Sequence, residues 1–303
     1  MLGAMAHRLL AVLLSVVALS AQPYGQVAGG STAGASPIFV LEEDRMWPVM
    51  QVDHGKFLPA IDGSADVLDL VKFADAAYRK GKKYDVFFGG AVAGSAVVIG
   101  DSRKAECAQA QGQVKVSIAA PFNRSLRVIV TDIITVKRPR SRRAATPDER
   151  AQAIRLATTA YQANGVAAAL AAKLQVVNLT AIEVDVSAKP LLVGTFVVKK
   201  TTGVETRDQL FLIAEAGGDT FRQVIANYVH TSADKILEGS DIDWVGVQVY
   251  AEKLIDHLDL DNDGISEILT ETAGLEGNNY TLYKRLDNRW TEAIKTSHYR
   301  CAF

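Results

Sequence analysis

Several signatures of known chemistry are missing from this 303-residue chain. Two cysteines, Cys107 and Cys301, leave room for one disulfide at most. The histidines beyond residue 21, His54, His230, His257 and His298, show no H-E-x-x-H zinc spacing. There is no G-x-S-x-G nucleophile elbow. The glycine-rich stretch Gly89–Gly94 lacks the Lys-Ser/Thr and the following helix that a phosphate loop needs. With 33 basic and 34 acidic residues the net charge is −1, which argues against the basic surface that broad nucleic-acid binding requires. Beyond the first residues, no apolar stretch is long enough to span a membrane.

The exception lies at the start. Met1–Arg8 is short and carries positive charge, Leu9–Leu19 is apolar apart from Ser15, and Ala18-Leu19-Ser20-Ala21 offers small residues for cleavage. Those three zones predict a signal peptide over residues 1–21 and a secreted or periplasmic protein. In an oxidising compartment the cysteine pair predicts a Cys107–Cys301 disulfide. It would close a loop of about 200 residues, worth at most ~5 kcal/mol in the chain-entropy account.

Residues 22–36 are rich in Gly, Ala, Ser and Gln and read as a flexible leader. A first domain is expected over 37–136. Ser64–Lys80 has a helical apolar face stopped by Gly81, and Tyr84–Phe88 with Ser95–Ile99 reads as a hairpin. Val114–Ile118 and Leu126–Ile134 are further strand candidates. Residues 137–146, opened by Lys137-Arg-Pro-Arg-Ser-Arg-Arg143, read as a basic linker. Thr146-Pro147-Asp148-Glu149 is a capping-box helix start, so 147–303 reads as a helical segment followed by a β-rich domain. The expected fold class is therefore α+β: an N-terminal helix-plus-hairpin domain, a short helical segment, and a β-rich C-terminal domain with two blade-like repeats.

The most specific pattern is Asp259-Leu-Asp261-Asn-Asp263-Gly264-Ile265-Ser-Glu267. Carboxylates at alternate positions of a tight loop can point at one centre, and calcium prefers six to eight hard oxygens. Asp259, Asp261, Asp263, the Ile265 carbonyl and Glu267 are the candidate ligands, with Gly264 permitting the turn. Thr270 stands where a twelve-residue EF-hand loop needs glutamate. The spacing resembles the nine-residue calcium loops of FG-GAP/VCBS-type repeats, and that resemblance implies a loop between two β-strands holding a calcium ion. Ile182–Leu192 aligns with Leu258–Ile268 as a faded copy, in which Glu183, Asp185 and Ser187 match the three aspartates and Leu191 replaces Glu267. The order of elements, closing on a cysteine near the C-terminus, also resembles a type of exported bacterial protein of unknown role.

Other candidates are weaker. Glu238, Asp241 and Asp243 cluster near Trp244, and His257 is two residues from Asp259. Two functions are carried forward. One is a non-catalytic, calcium-stabilised extracytoplasmic protein that binds a protein or glycan ligand or serves a structural part. The other is a secreted hydrolase with an acidic interdomain cleft, using carboxylates or His230 and His257.

Overall fold

The structure is a computed structural model that describes residues 35–61, 67–102, 110–118, 127–133, 141–187, 189–275 and 277–299. The candidate signal peptide, almost all of the leader, both cysteines with their candidate disulfide, and Lys137–Arg140 lie outside the described residues.

The N-terminal part is a closed barrel. Its strands are β1 (Ser36–Glu42), β2 (Arg45–Asp53), β3 (Lys56–Pro59), β4 (Lys83–Phe88), β5 (Ala91–Ser102), β6 (Gln111–Ile118) and β7 (Val128–Thr131). They run in the order β1-β7-β4-β5-β6-β2, the additional β1–β2 pairing closes the ring, and β3 extends β2 as a hairpin. Side chains alternate across a strand, and here both faces are apolar. Phe39, Leu41, Met46, Tyr84, Val86 and Val130 fill the interior. Ile38, Val40, Val49, Met50 and Ile129 point outward into a second core. Register breaks at Ile38/Phe39, Val86/Phe87 and Val98/Gly100 supply the bends that closure needs. The β4–β5 turn is made by Gly89 and Gly90, both with positive φ (66° and 74°), as a tight two-residue hairpin requires.

One helix, α1 (Val67–Ala77), joins the barrel core through Phe73, Ala74 and Ala77. Beyond it, Tyr78 donates to the Ala110 carbonyl (3.0 Å), and Tyr84 donates to the Ala77 carbonyl (2.6 Å). Burial raises both phenols above their ordinary range.

The second layer system begins at β8 (Arg142–Ala144), which pairs with β9, so the end of the basic run is strand rather than linker. Then follow α2 (Pro147–Ala163), a single short turn α3 (Ala168–Ala171), β9 (Gln175–Glu183), β10 (Pro190–Lys200), β11 (Thr206–Gly217) and β12 (Thr220–Ser232). The capping box forms as expected: Glu149 N–H donates to Thr146 Oγ1, and the Thr146 N–H donates to the Glu149 carboxylate. These strands form a sheet in the order β12-β11-β10-β9-β8. One face packs on α2 and α3 through Ala153, Ala157, Tyr161, Phe196 and Leu210.

A 3-10 turn (Ala233–Lys235) and one π turn (Trp244–Gln248) lead to a four-stranded meander. It comprises β13 (Glu252–Leu258), β14 (Glu267–Ala273), β15 (Gly277–Leu286) and β16 (Arg289–Tyr299), paired in that order. This sheet is the middle layer. Ile255, Leu258, Leu269 and Leu282 pack on the outer face of the barrel. Ile268, Tyr283 and Trp290 pack on the other face of the β8–β12 sheet, against Ile182, Val193 and Phe211.

This architecture corrects the expected α+β class. The described residues are 56% strand, and the N-terminal part is a six-stranded barrel carrying one helix, not a helix-plus-hairpin domain. The reason is that β1 and most of β2 are buried on both sides. They show no period-2 alternation, and their partners are distant: Phe39 pairs with Val130.

Candidate metal centre

Tight turns hold the loop between β13 and β14 together. Asn262 (φ 63°) and Gly264 (φ 92°) adopt left-handed backbone, which asparagine and glycine tolerate best. Backbone N–H groups then aim the carboxylates inward. Gly264 N–H donates to Asp259 Oδ2 (3.0 Å), Ile265 N–H to Asp263 Oδ1 (2.9 Å), and Leu260 N–H to Glu267 Oε2 (2.8 Å).

Asp259, Asp261 and Glu267 each bring a carboxylate oxygen to within 4.8 Å of the others, the separation at which one cation can touch all three. Asp259 and Glu267 are buried, and Asp263 lies at the rim with its side chain 38% exposed. Asp259 Oδ1 is buried with no hydrogen-bond partner. Burial, with Asp261 second, pushes the Glu267 carboxyl up to about 8. Burial also raises Asp259, and the neighbouring Asp263 and Asp261 add to it.

The positive charge facing this cluster is Lys284 on β15. Its ammonium bonds Asp261, lies 2.8 Å from Asp263 Oδ2 and 3.5 Å from Glu267 Oε1. It also sits 5.9 Å over the Phe57 ring of β3. Burial alone would lower the Lys284 ammonium, but the bonds to Asp261 and Asp263 outweigh it and the net shift is upward. The donor set of hard, partly unpartnered carboxylate oxygens on Asp259, Asp261 and Glu267 could hold a metal ion. Ile265 contributes apolar packing from its side chain as well as its backbone N–H.

The candidate copy at 183–191 also lies between two strands, β9 and β10, with a different outcome. Asp185 accepts from Ser187 N–H (2.8 Å) and faces Arg285 at 3.2 Å. Ser266 N–H donates to the Val184 carbonyl (2.7 Å), so the two loops touch. No second carboxylate group of metal-holding geometry occurs there among the described residues.

The remaining candidates do not assemble into one site. His257 is fully buried, not exposed on a strand, and neither ring nitrogen has a hydrogen-bond partner, although Nδ1 lies 3.3 Å from Asp256 Oδ1. His230 Nδ1 sits 2.6 Å from Asp208 Oδ1, on a different sheet from His257. Asp243 is consumed by Arg207 (2.6 Å) and Lys199 (2.9 Å). His298 bonds the Pro48 carbonyl. Lys284 is not marked as a site residue by the sequence. Nothing near residue 284 marks it, because only strand pairing carries it to the loop.

Comparison with protein-family models, with curated proteins and with solved structures finds no match to this chain. Among the described residues no helix is long and apolar enough to cross a membrane.

Proposed function

We propose that this chain is a non-catalytic binding protein that works outside the cytoplasm and is stabilised by calcium in the 259–267 loop. The observation that carries the metal reading is the buried, unpartnered Asp259 Oδ1 beside Asp261 and Glu267. A buried carboxylate oxygen without a donor is costly, and a bound divalent ion removes that cost. Asp259, Asp261, Asp263 and Glu267 would hold the ion, and the ion would pin β13 to β14. Export is supported by the zones of residues 1–21, and extracellular modules bind calcium at ~10⁻⁴–10⁻³ M.

Thermal melting tests the metal reading. Saturating calcium at about 100 times the Kd stabilises a one-site protein by ~2.7 kcal/mol, so chelator lowers the melting temperature by several degrees. Asp263→Ala abolishes that difference. Superimposable melts with calcium and with chelator overturn the reading.

A hydrolase is the second reading, favoured by His230. This half-exposed ring is oriented by buried Asp208 and opens on a cavity of about 450 Å³. Turnover of ester, phosphate or glycoside substrates that His230→Ala abolishes would establish it in place of the first.

A further inference from the structure

A second feature of the molecule lies away from the metal loop. The last residues of β12, the turns that follow it and the β14–β15 connection surround a cavity of about 450 Å³, within the usual range for small-molecule sites. It is the cavity on which His230 opens.

The polar side of this cavity is built from within the sheet. Asp208 on β11 has a buried side chain. Its Oδ1 accepts from Tyr228 Oη and lies 2.6 Å from His230 Nδ1, and its backbone carbonyl accepts from Tyr161 Oη (3.0 Å). The contact at Nδ1 fixes the imidazole ring. The edge carrying Nε2 is left without a partner among the described residues. Lys235, on the 3-10 turn, adds a cation to the lining. Among the described residues no carboxylate belongs to that lining, and Asp234, next to Lys235, accepts from Ser232.

The remaining wall is apolar and bare. Leu237 is 74% exposed, Leu275 45%, Tyr250 38% and Val229 37%. Single exposed side chains of this kind need no explanation, but four around one cavity mark a binding surface. Tyr250 also holds a left-handed backbone (φ 64°), rare for a bulky residue, and its N–H donates to the Ala273 carbonyl (2.6 Å). Strain of this kind persists only where the surrounding structure imposes it, and it gathers at ligand sites.

Head and wall together select one ligand chemistry. An acid fits His230 in either protonation state, because a carboxylate accepts from the protonated ring and a carboxyl donates to the neutral one. Lys235 favours the carboxylate. A metal ion would meet one imidazole nitrogen and no carboxylate. A sugar would set its hydroxyls against leucine side chains, and a cationic amphiphile would face Lys235. We propose that this cavity binds a fatty acid, with the carboxylate at Lys235 and His230 and the alkyl chain against Leu237, Tyr250 and Leu275. The inference rests on the binding-protein half of the reading above and not on its calcium half.

Isothermal titration of the purified chain with octanoate, butanoate, octanol and octylamine at neutral pH tests it. Octanoate binds once per chain with a Kd of about 1 mM or tighter. Butanoate binds at least about tenfold more weakly, because its shorter chain buries fewer methylenes. Octanol binds about tenfold more weakly, because it brings no charge to Lys235, and octylamine is the weakest of the eight-carbon ligands. Lys235→Ala weakens octanoate about tenfold and leaves octanol unchanged. Leu237→Ser, at a position the core does not use, weakens both. Failure of octanoate to bind overturns the proposal, as does equal binding of octanol or octylamine, or undiminished octanoate binding by Lys235→Ala. Melting with calcium and with chelator separates the two readings. A calcium-dependent melting shift without octanoate binding overturns the fatty-acid site alone, and octanoate binding without that shift overturns the metal site alone. Turnover of p-nitrophenyl octanoate that His230→Ala abolishes overturns the non-catalytic reading, while octanoate binding still upholds the place of the acid in the cavity.

Discussion

Lys284 Nζ lies 3.5 Å from Glu267 Oε1, and the next residue along β15, Arg285, lies 3.2 Å from Asp185 on the opposite face of the sheet. Strand alternation sends the two cations to different loops. Each loop thus receives one basic side chain from the same strand, and among the described residues only the 259–267 loop brings three carboxylates together.

Lys284→Met is expected to make the protein more dependent on calcium. Losing one partner of a buried ion cluster costs ~3–5 kcal/mol when nothing replaces it. Without metal the variant should melt well below the parent chain. With saturating calcium most of the loss should return. Melting curves in calcium and in chelator check this, and a variant equally destabilised in both would show that Lys284 alone balances the cluster.

Glu252→Ala should be among the most damaging single changes. Its carboxylate accepts from Thr270 Oγ1 (2.7 Å), Tyr283 Oη (2.7 Å) and Asn227 Nδ2 (2.7 Å), tying the middle sheet to β12. Removing it leaves three polar groups without this partner, and an unsatisfied buried group costs ~1–3 kcal/mol. Tyr283→Phe, which deletes one donor, should cost about 1 kcal/mol. Urea unfolding of the two variants gives the ranking.

Legibility in the sequence followed locality. The capping box at Thr146 and the hairpin after α1 depend on a few adjacent residues and form as expected, although the hairpin turn shrinks to Gly89-Gly90 and β5 starts at Ala91 rather than Ser95. In the 259–267 loop Asp259, Asp261 and Glu267 come within 4.8 Å of one another, while Asp263 stays at the rim. What was not legible depends on distant partners. The barrel closes through β1–β2 and β1–β7 pairings, the second of them between residues about 90 positions apart. His257 is fully buried because its stretch of β13 is packed between the barrel and the β8–β12 sheet, which its sequence neighbours do not reveal. Lys253, Arg142 and Trp244 line one cavity although nothing in their spacing links them.

Gly246→Ala should loosen the π turn. Its added methyl would meet Arg207 Cβ at 2.6 Å and Cγ at 2.7 Å, and overpacking of this kind costs ~1–3 kcal/mol. The expected result is a lower melting temperature together with altered tryptophan fluorescence from Trp244. A variant melting like the parent would show that the turn shifts without penalty.

Acid should weaken the start of α2 at a defined pH. Arg143 bonds Glu149 through two nitrogens at 2.7 Å, and this holds the Glu149 carboxyl down at about 2. A depressed carboxyl contributes stability that is present above its unfolded value near 4.5 and is lost as pH falls toward 2. Glu149→Gln should therefore flatten the stability profile between about pH 4.5 and 2. Thr146→Ala should cost about 1 kcal/mol at neutral pH. Chemical denaturation across that range measures both.

The middle sheet has a consequence for synthesis. Residues 252–299 are the last described strands to leave the ribosome, yet they cover both the barrel's outer wall and the inner wall of the β8–β12 sheet. Until they arrive, two apolar surfaces stand open. A nascent polypeptide stalled before Glu252 is therefore expected to expose both surfaces and to be a client for chaperones.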